Sequence, residues 1–235
     1  MPKVVPAILA KSKKGFEDKI TNETLRKLAL LWQVDVLDGS MFKQSCWAKP
    51  EAVSEIESLP EIELHLMVQN PLPVIMEWFN RVDTLRRAIV HSEIERPVGA
   101  VLHRIKKLGI EAGFAINPET SVGAVEPYLH TTDLILIMGV RPGMSGQGFL
   151  GERVLAKIRE SKRRFPGLKV AVDGGINLEN ATDIVAAGAD QLCVASTLWK
   201  AKNIEQAFRA LQALGQITPL TDSKLSRQTI NLAPR

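Results

Sequence analysis

Asp35, His65 and Asp173 are the residues of this chain best suited to chemistry. Each interrupts or ends a short apolar run: Leu31-Trp32-Gln33-Val34-Asp35-Val36-Leu37, Ile62-Glu63-Leu64-His65-Leu66-Met67 and Val170-Ala171-Val172-Asp173. Turn residues follow both aspartates, Asp38-Gly39 after the first run and Gly174-Gly175 after the third. Ionisable groups are uncommon in such runs, because a charge taken from water needs a partner. One of them alone is most simply a satisfied polar group at a strand end. Three at three strand ends point to a shared site, and two carboxylates with an imidazole suit acid–base work or metal binding.

Short apolar runs of the same kind recur along the chain. Strands are expected at 4–9, 31–37, 62–68, 87–91, 111–116, 133–139, 168–173 and 190–195. Amphipathic stretches alternate with them at 15–29, 50–58, 71–81, 97–108, 121–129, 151–164, 177–187 and 203–213. Strands rich in Val, Ile and Leu without strict alternation read as buried on both faces, as in a parallel sheet. Eight strand–helix units in this length predict an α/β fold of the (β/α)8 TIM-barrel type; a doubly wound open sheet is the alternative. Asn177 is the expected cap of the seventh helix. Gly109 and Gly188 follow helical runs as left-handed terminators, and Pro71 and Pro97 suit first turns. Residues 1–215 are expected to form one barrel domain. The polar, weakly periodic stretch 216–235 reads as a C-terminal tail, extended or mobile.

The chain has 235 residues, 45% hydrophobic and 24% charged, with a formal net charge of +4. That is the composition of an ordinary globular protein, and the small positive balance reads first as solubility. No basic run with interleaved aromatics points to nucleic acid. No apolar run reaches membrane-spanning length and no signal-peptide core opens the chain, so a cytoplasmic setting is the expectation. Cys193, in Gln191-Leu192-Cys193-Val194, reads as a core residue, and Cys46, in a polar stretch, as an exposed thiol.

Active sites of such barrels gather at the C-terminal strand ends, where Asp35, His65 and Asp173 all fall. Gly143-Met144-Ser145-Gly146 after strand six forms a flexible loop able to close over a ligand. Gly174-Gly175 after strand seven and Ala195-Ser196 after strand eight are small enough to let backbone amides approach a phosphate. The bland reading of both features is tight turns. Met67 and Met138 lie at the same end and could line the pocket. His91 and Glu93 end strand four and could orient a site residue or simply pair with each other. His103 and His130 read as surface groups.

Taken in order and spacing, these segments resemble the ribulose-phosphate 3-epimerase family over most of residues 4–200. The resemblance is carried by Pro6-Ala7-Ile8-Leu9, Val34-Asp35-Val36-Leu37-Asp38-Gly39, His65-Leu66-Met67-Val68, Asn117-Pro118-Glu119-Thr120, Pro142-Gly143-Met144-Ser145-Gly146-Gln147 and Val172-Asp173-Gly174-Gly175-Ile176. It implies a TIM barrel of the ribulose-phosphate-binding type. It implies an isomerase of carbohydrate metabolism that inverts carbon 3 of D-ribulose 5-phosphate to give D-xylulose 5-phosphate. By the family pattern Asp35 and Asp173 are the two proton-transfer groups. They also ligate one divalent cation (Zn, Mn, Fe or Mg) together with His65. The resemblance places Ala7, His65, Met67, Met138, Gly143, Met144, Ser145, Gly146, Gly174, Gly175, Ala195 and Ser196 around the substrate. Self-association into a homo-oligomer is a further family trait.

This chain departs from the family pattern near the centre of the site. Gln33 stands where the family has a histidine ligand two residues before the first aspartate; a neutral amide carbonyl is a poorer zinc ligand than imidazole. Ala7 replaces a serine that touches substrate, Leu37 replaces a pocket methionine, and Ala195-Ser196 replaces Gly-Ser. Two alternatives therefore stand beside the pentulose reading. One is an epimerase for another phosphorylated ketose, such as a hexulose 6-phosphate, and the other a non-catalytic phosphosugar-binding relative.

Overall fold

Alternation along eight strands decides what faces the centre of this fold. In the computed structural model, which describes residues 2–143 and 146–214, the strands are β1 (Lys3–Ile8), β2 (Leu31–Leu37), β3 (Glu61–Met67), β4 (Leu85–His91), β5 (Glu111–Ile116), β6 (Leu134–Met138), β7 (Lys169–Asp173) and β8 (Gln191–Val194). Each pairs in parallel with the next, and β8 pairs with β1, closing a barrel in chain order. One residue set packs outward against helices and the other fills the lumen, so both faces are apolar. Val5, Ala7, Leu31, Ile89, Ala115, Leu134, Leu136, Met138, Ala171 and Cys193 form the inner cluster.

The helices are α1 (Lys13–Ile20), α2 (Glu23–Leu28), α3 (Pro50–Ser54), α4 (Pro71–Arg81), α5 (Val98–Lys107), α6 (Val122–Leu129), α7 (Glu152–Arg164), α8 (Ala181–Ala186), α9 (Ser196–Trp199) and α10 (Ile204–Ala213). The stretch expected as one helix over 15–29 is two. The Thr21 amide closes α1 on the Glu17 carbonyl, and Asn22 Oδ1 then accepts from Leu25 N at 3.0 Å to start α2. Helix α3 ends at Ser54, short of the expected 58. Pro97 precedes α5 as its cap residue and does not sit in its first turn. Asn177 is not the cap of α8: its Oδ1 accepts from the amides of Glu179 and Asn180 in a preceding turn, and Asn180 holds the cap position. Gly109 and Gly188 have φ of +81° and +111°, the left-handed terminators expected. The expected tail, 216–235, lies outside the described residues. Among the described residues no helix is long and apolar enough to cross a membrane.

A polar layer lies inside the barrel below the strand ends. Arg87 donates from Nε to Glu111 Oε2 at 2.7 Å and from Nη1 to Gln191 Oε1 at 3.1 Å, and it also pairs with Glu63. Gln191 Nε2 donates to the other Glu63 oxygen at 2.7 Å, so a fully buried carboxylate has partners at both atoms. One planar fork serves three acceptors, which a single ammonium cannot reproduce. Arg87→Lys is expected to destabilise the fold by about 2 kcal/mol, read as a lower urea midpoint at unchanged slope.

Candidate active site

The same inward periodicity lifts one set of side chains to the open end of the barrel. Gln33 and Asp35 come from β2, His65 and Met67 from β3, His91 from β4, Met138 from β6 and Asp173 from β7. Asp35 and His65 are paired in register across β2 and β3. His65 Nδ1 lies 3.0 Å from Asp35 Oδ1 and 3.3 Å from Asp173 Oδ2. Strands β1 and β8 separate the two aspartates in the barrel, yet both carboxylates meet over one imidazole.

Gln33 holds the group together. It is fully buried, and its Nε2 donates to Asp35 Oδ1 and to Asp173 Oδ2, both at 2.9 Å. Its Oε1 is equally buried and has no hydrogen-bond partner among the described residues. A buried acceptor without a partner costs roughly 1–3 kcal/mol. An amide exchanges its nitrogen and oxygen by turning about its last bond. The donors that can meet at one cation are an oxygen each from Asp35 and Asp173 and Nδ1 of His65, all within 4.8 Å of one another; the Gln33 amide, turned over, would add its carbonyl as a fourth. Carboxylate and amide oxygens with one imidazole and an open face fit a catalytic divalent metal.

The electrostatics follow from crowding. Burial raises Asp35 above the ordinary carboxylate range, and the charge of Asp173 adds to this. Burial also opposes a charge on His65, but the hydrogen bonds and charges of Asp173 and Asp35 outweigh it and raise that ring to about 9. Metal ligation needs the Nδ1 lone pair, so below about pH 9 binding must expel a proton. Apparent affinity for a divalent cation is therefore expected to rise about tenfold per pH unit from neutrality and to level above the His65 value. Calorimetric titrations in buffers of different ionisation enthalpy check this; an affinity flat with pH would contradict it.

A second chain of contacts backs His65. Its Nε2 lies 2.9 Å from Nε2 of His91, and His91 Nδ1 lies 3.3 Å from Glu93 Oε2. Glu93 Oε1 accepts from the Asn117 amide at 2.9 Å and from the Thr120 hydroxyl. Lys157 Nζ in turn gathers the carbonyls of Asn117 and Pro118, each at 2.8 Å, and that of Thr120. Burial works against a charge on Glu93, but hydrogen bonds from His91, Thr120 and Asn117 bring it down to about 2. Burial lowers His91, and a charge on His65 lowers it further.

These groups floor an open cleft of about 530 Å³, part of it solvent. Of the sequence-predicted residues, Asp35, His65, Met67, Met138, Gly143, Gly146, Asp173, Gly174, Gly175, Ala195 and Ser196 line it. Ala7 does not; it lies buried in the lumen, and its carbonyl accepts from Trp199 Nε1 at 2.7 Å. Met144 and Ser145 lie outside the described residues. Leu9, Val140, Ile176 and Cys193 also line the cleft. Sequence reasoning missed the first three because an apolar residue at a strand end looks like core. Cys46 is half-buried, not exposed: Sγ bonds the Asp35 carbonyl at 3.2 Å and receives Leu37 N at 3.1 Å, stitching the end of β2. His103 and His130 are exposed, as expected.

One corner of the cleft is walled by bare backbone. Gly174 and Gly175 have φ of +104° and +70°. A Cβ on Gly175 would lie 2.6 Å from the backbone nitrogen of Phe149, so nothing larger fits. Thr197 Oγ1 donates to the Ile176 carbonyl at 2.6 Å, tying this turn to the start of α9 at Ser196. Bare backbone beside the first turn of a helix is suited to a phosphate.

The acids, the imidazole and the glycine corner thus gather at the C-terminal strand ends of a (β/α)8 barrel. The chain is 36% identical over 228 residues to the ribulose-phosphate 3-epimerase of Aquifex aeolicus, covering 91% of this chain and 97% of that one. It is 32% identical over 221 residues to the Bacillus subtilis protein of the same name, covering 90% and 99%. Residues 3–199 match the ribulose-phosphate 3 epimerase family, and the chain belongs to it. Among solved structures, 3-hexulose-6-phosphate synthase from Salmonella typhimurium superposes with a TM-score of 0.64 at 14% identity, over 91% of this chain and 98% of that one, a likeness of fold.

Proposed function

We propose that this protein interconverts D-ribulose 5-phosphate and D-xylulose 5-phosphate by inverting carbon 3, with Asp35 and Asp173 as the two proton-transfer groups. The observation that carries this is the meeting of two carboxylates from well-separated strands in one cleft, bridged by the same amide and the same imidazole. Inversion needs a proton taken from one face of carbon 3 and another delivered to the opposite face. One aspartate takes the first and the other gives the second. Met67 and Met138 wall the planar intermediate and keep water from quenching it. The Gly174-Gly175 and Ala195-Ser196 corner holds the phosphate and so fixes carbon 3 between the acids.

Asp35, His65, Asp173 and the carbonyl of Gln33 would hold the divalent cation. When bound it supplies Lewis-acid stabilisation of the charge that develops on the substrate oxygens. Gln33 in place of an imidazole makes the donor set richer in oxygen, which favours a harder ion such as Mg²⁺ or Mn²⁺ over Zn²⁺. The test is the purified protein with D-ribulose 5-phosphate across Mg²⁺, Mn²⁺, Fe²⁺ and Zn²⁺. D-xylulose 5-phosphate is expected with at least one of them, and its absence with all four would overturn the proposal. Hexulose 6-phosphates belong in the same assay; a higher kcat/KM for one of these would reassign the substrate.

A further inference from the structure

The contact between two histidine rings behind the cleft has only one consistent arrangement of protons. His65 Nε2 and His91 Nε2 are 2.9 Å apart, so one must donate and the other accept. The far end of the chain decides which. Glu93 is an ionised carboxylate and only accepts; its Oε1 takes Asn117 N and the Thr120 hydroxyl, and its Oε2 faces His91 Nδ1. His91 therefore carries its hydrogen on Nδ1 and presents a bare Nε2. His65 must then carry a hydrogen on Nε2, so the proton it gives up to a cation is the one on Nδ1, the atom between Asp35 and Asp173.

We propose that Glu93 and His91 are positioning residues that hold His65 as its Nε2–H tautomer and so aim its Nδ1 lone pair at the cation site. This rests on the reading of Asp35, His65 and Asp173 as metal ligands. Groups that orient a ligating histidine commonly change metal affinity by about 10–100-fold when removed.

The relay makes an unusual prediction about two variants. In Glu93→Gln the single carbonyl oxygen is claimed by Asn117 N and Thr120, so the amide NH₂ is turned toward His91 Nδ1. That NH₂ needs an acceptor, which forces the hydrogen of His91 onto Nε2 and sets it against the hydrogen of His65. In Glu93→Ala the chain is cut but not reversed. The closer mimic should thus do more harm: Mn²⁺ affinity is expected to fall by about 10–100-fold in Glu93→Gln and by less in Glu93→Ala. A purely structural role for Glu93 gives the opposite order, since Ala removes its hold on Asn117 N and the Thr120 hydroxyl and leaves the 117–120 loop to Lys157.

The experiment is Mn²⁺ titration of both variants and the parent. It is paired with ¹⁵N–¹H spectra of the histidine rings in the metal-free proteins. The relay predicts His91 with its hydrogen on Nδ1 in the parent and on Nε2 in Glu93→Gln. Parent-like affinity in Glu93→Gln, a greater loss in Glu93→Ala, or a parent His91 protonated on Nε2 overturns the inference while leaving the metal reading intact. A parent protein that takes up no Mn²⁺, Mg²⁺, Fe²⁺ or Zn²⁺ overturns the metal reading, and the inference with it.

Discussion

Asp173→Asn is expected to stop inversion while leaving proton exchange at carbon 3 in one of the two epimers. Each epimer points its carbon-3 hydrogen at a different aspartate, so losing one acid leaves the other able to take and return a proton on its own face. Net conversion should fall by about 10²–10⁴-fold, the usual contribution of a positioned acid or base. In D₂O, one ketose phosphate should still gain deuterium at carbon 3 without changing configuration. Asp35→Asn should show the same behaviour for the other epimer. Asparagine keeps the shape, and the remaining carboxylate still accepts from the Gln33 amide. The check is initial-rate assay of both variants with mass analysis of recovered substrate. Two variants that label the same epimer would contradict opposed roles for the two acids.

Gln33→His carries the second large effect. In this chain the Gln33 amide, not an imidazole, sits at 2.9 Å from both carboxylates. Replacing it with imidazole adds a second nitrogen donor to a set that otherwise has one. Borderline-soft Zn²⁺ gains from this and hard Mg²⁺ does not. The ratio of Zn²⁺ to Mg²⁺ affinity is expected to rise on the order of 100-fold, equivalent to about 2.7 kcal/mol. Competition with a chromogenic chelator measures the ratio directly. An unchanged ratio would mean that position 33 lies outside the coordination sphere and that the amide serves only to bridge the acids.

Much of this arrangement was legible in the chain because it follows from period two. Once Asp35, His65 and Asp173 are placed at strand ends, alternation turns all three inward, and barrel closure brings them together. The eight strands fall within two residues of where apolar runs place them. What period two does not reveal is which inward groups touch. His91 and Glu93 could pair together or orient a site residue; they pair at 3.3 Å, and His91 also lies 2.9 Å from His65 Nε2, a contact between neighbouring strands that no spacing announces. The Glu63–Arg87–Gln191 layer carries the same inward signal, but each member reads singly as a strand polar group and only barrel closure joins them. Helix α9 has four residues, too few for a helical period to show. The bridging amide of Gln33 depends on a rotamer, which no spacing encodes.

The most direct test of opposed acid and base roles is isotopic, on the unaltered protein. With D-ribulose 5-phosphate in D₂O and the activating cation, initial D-xylulose 5-phosphate should carry deuterium at carbon 3, while recovered substrate stays unlabelled. Protium kept in the product would show that one group serves both faces and would contradict the account.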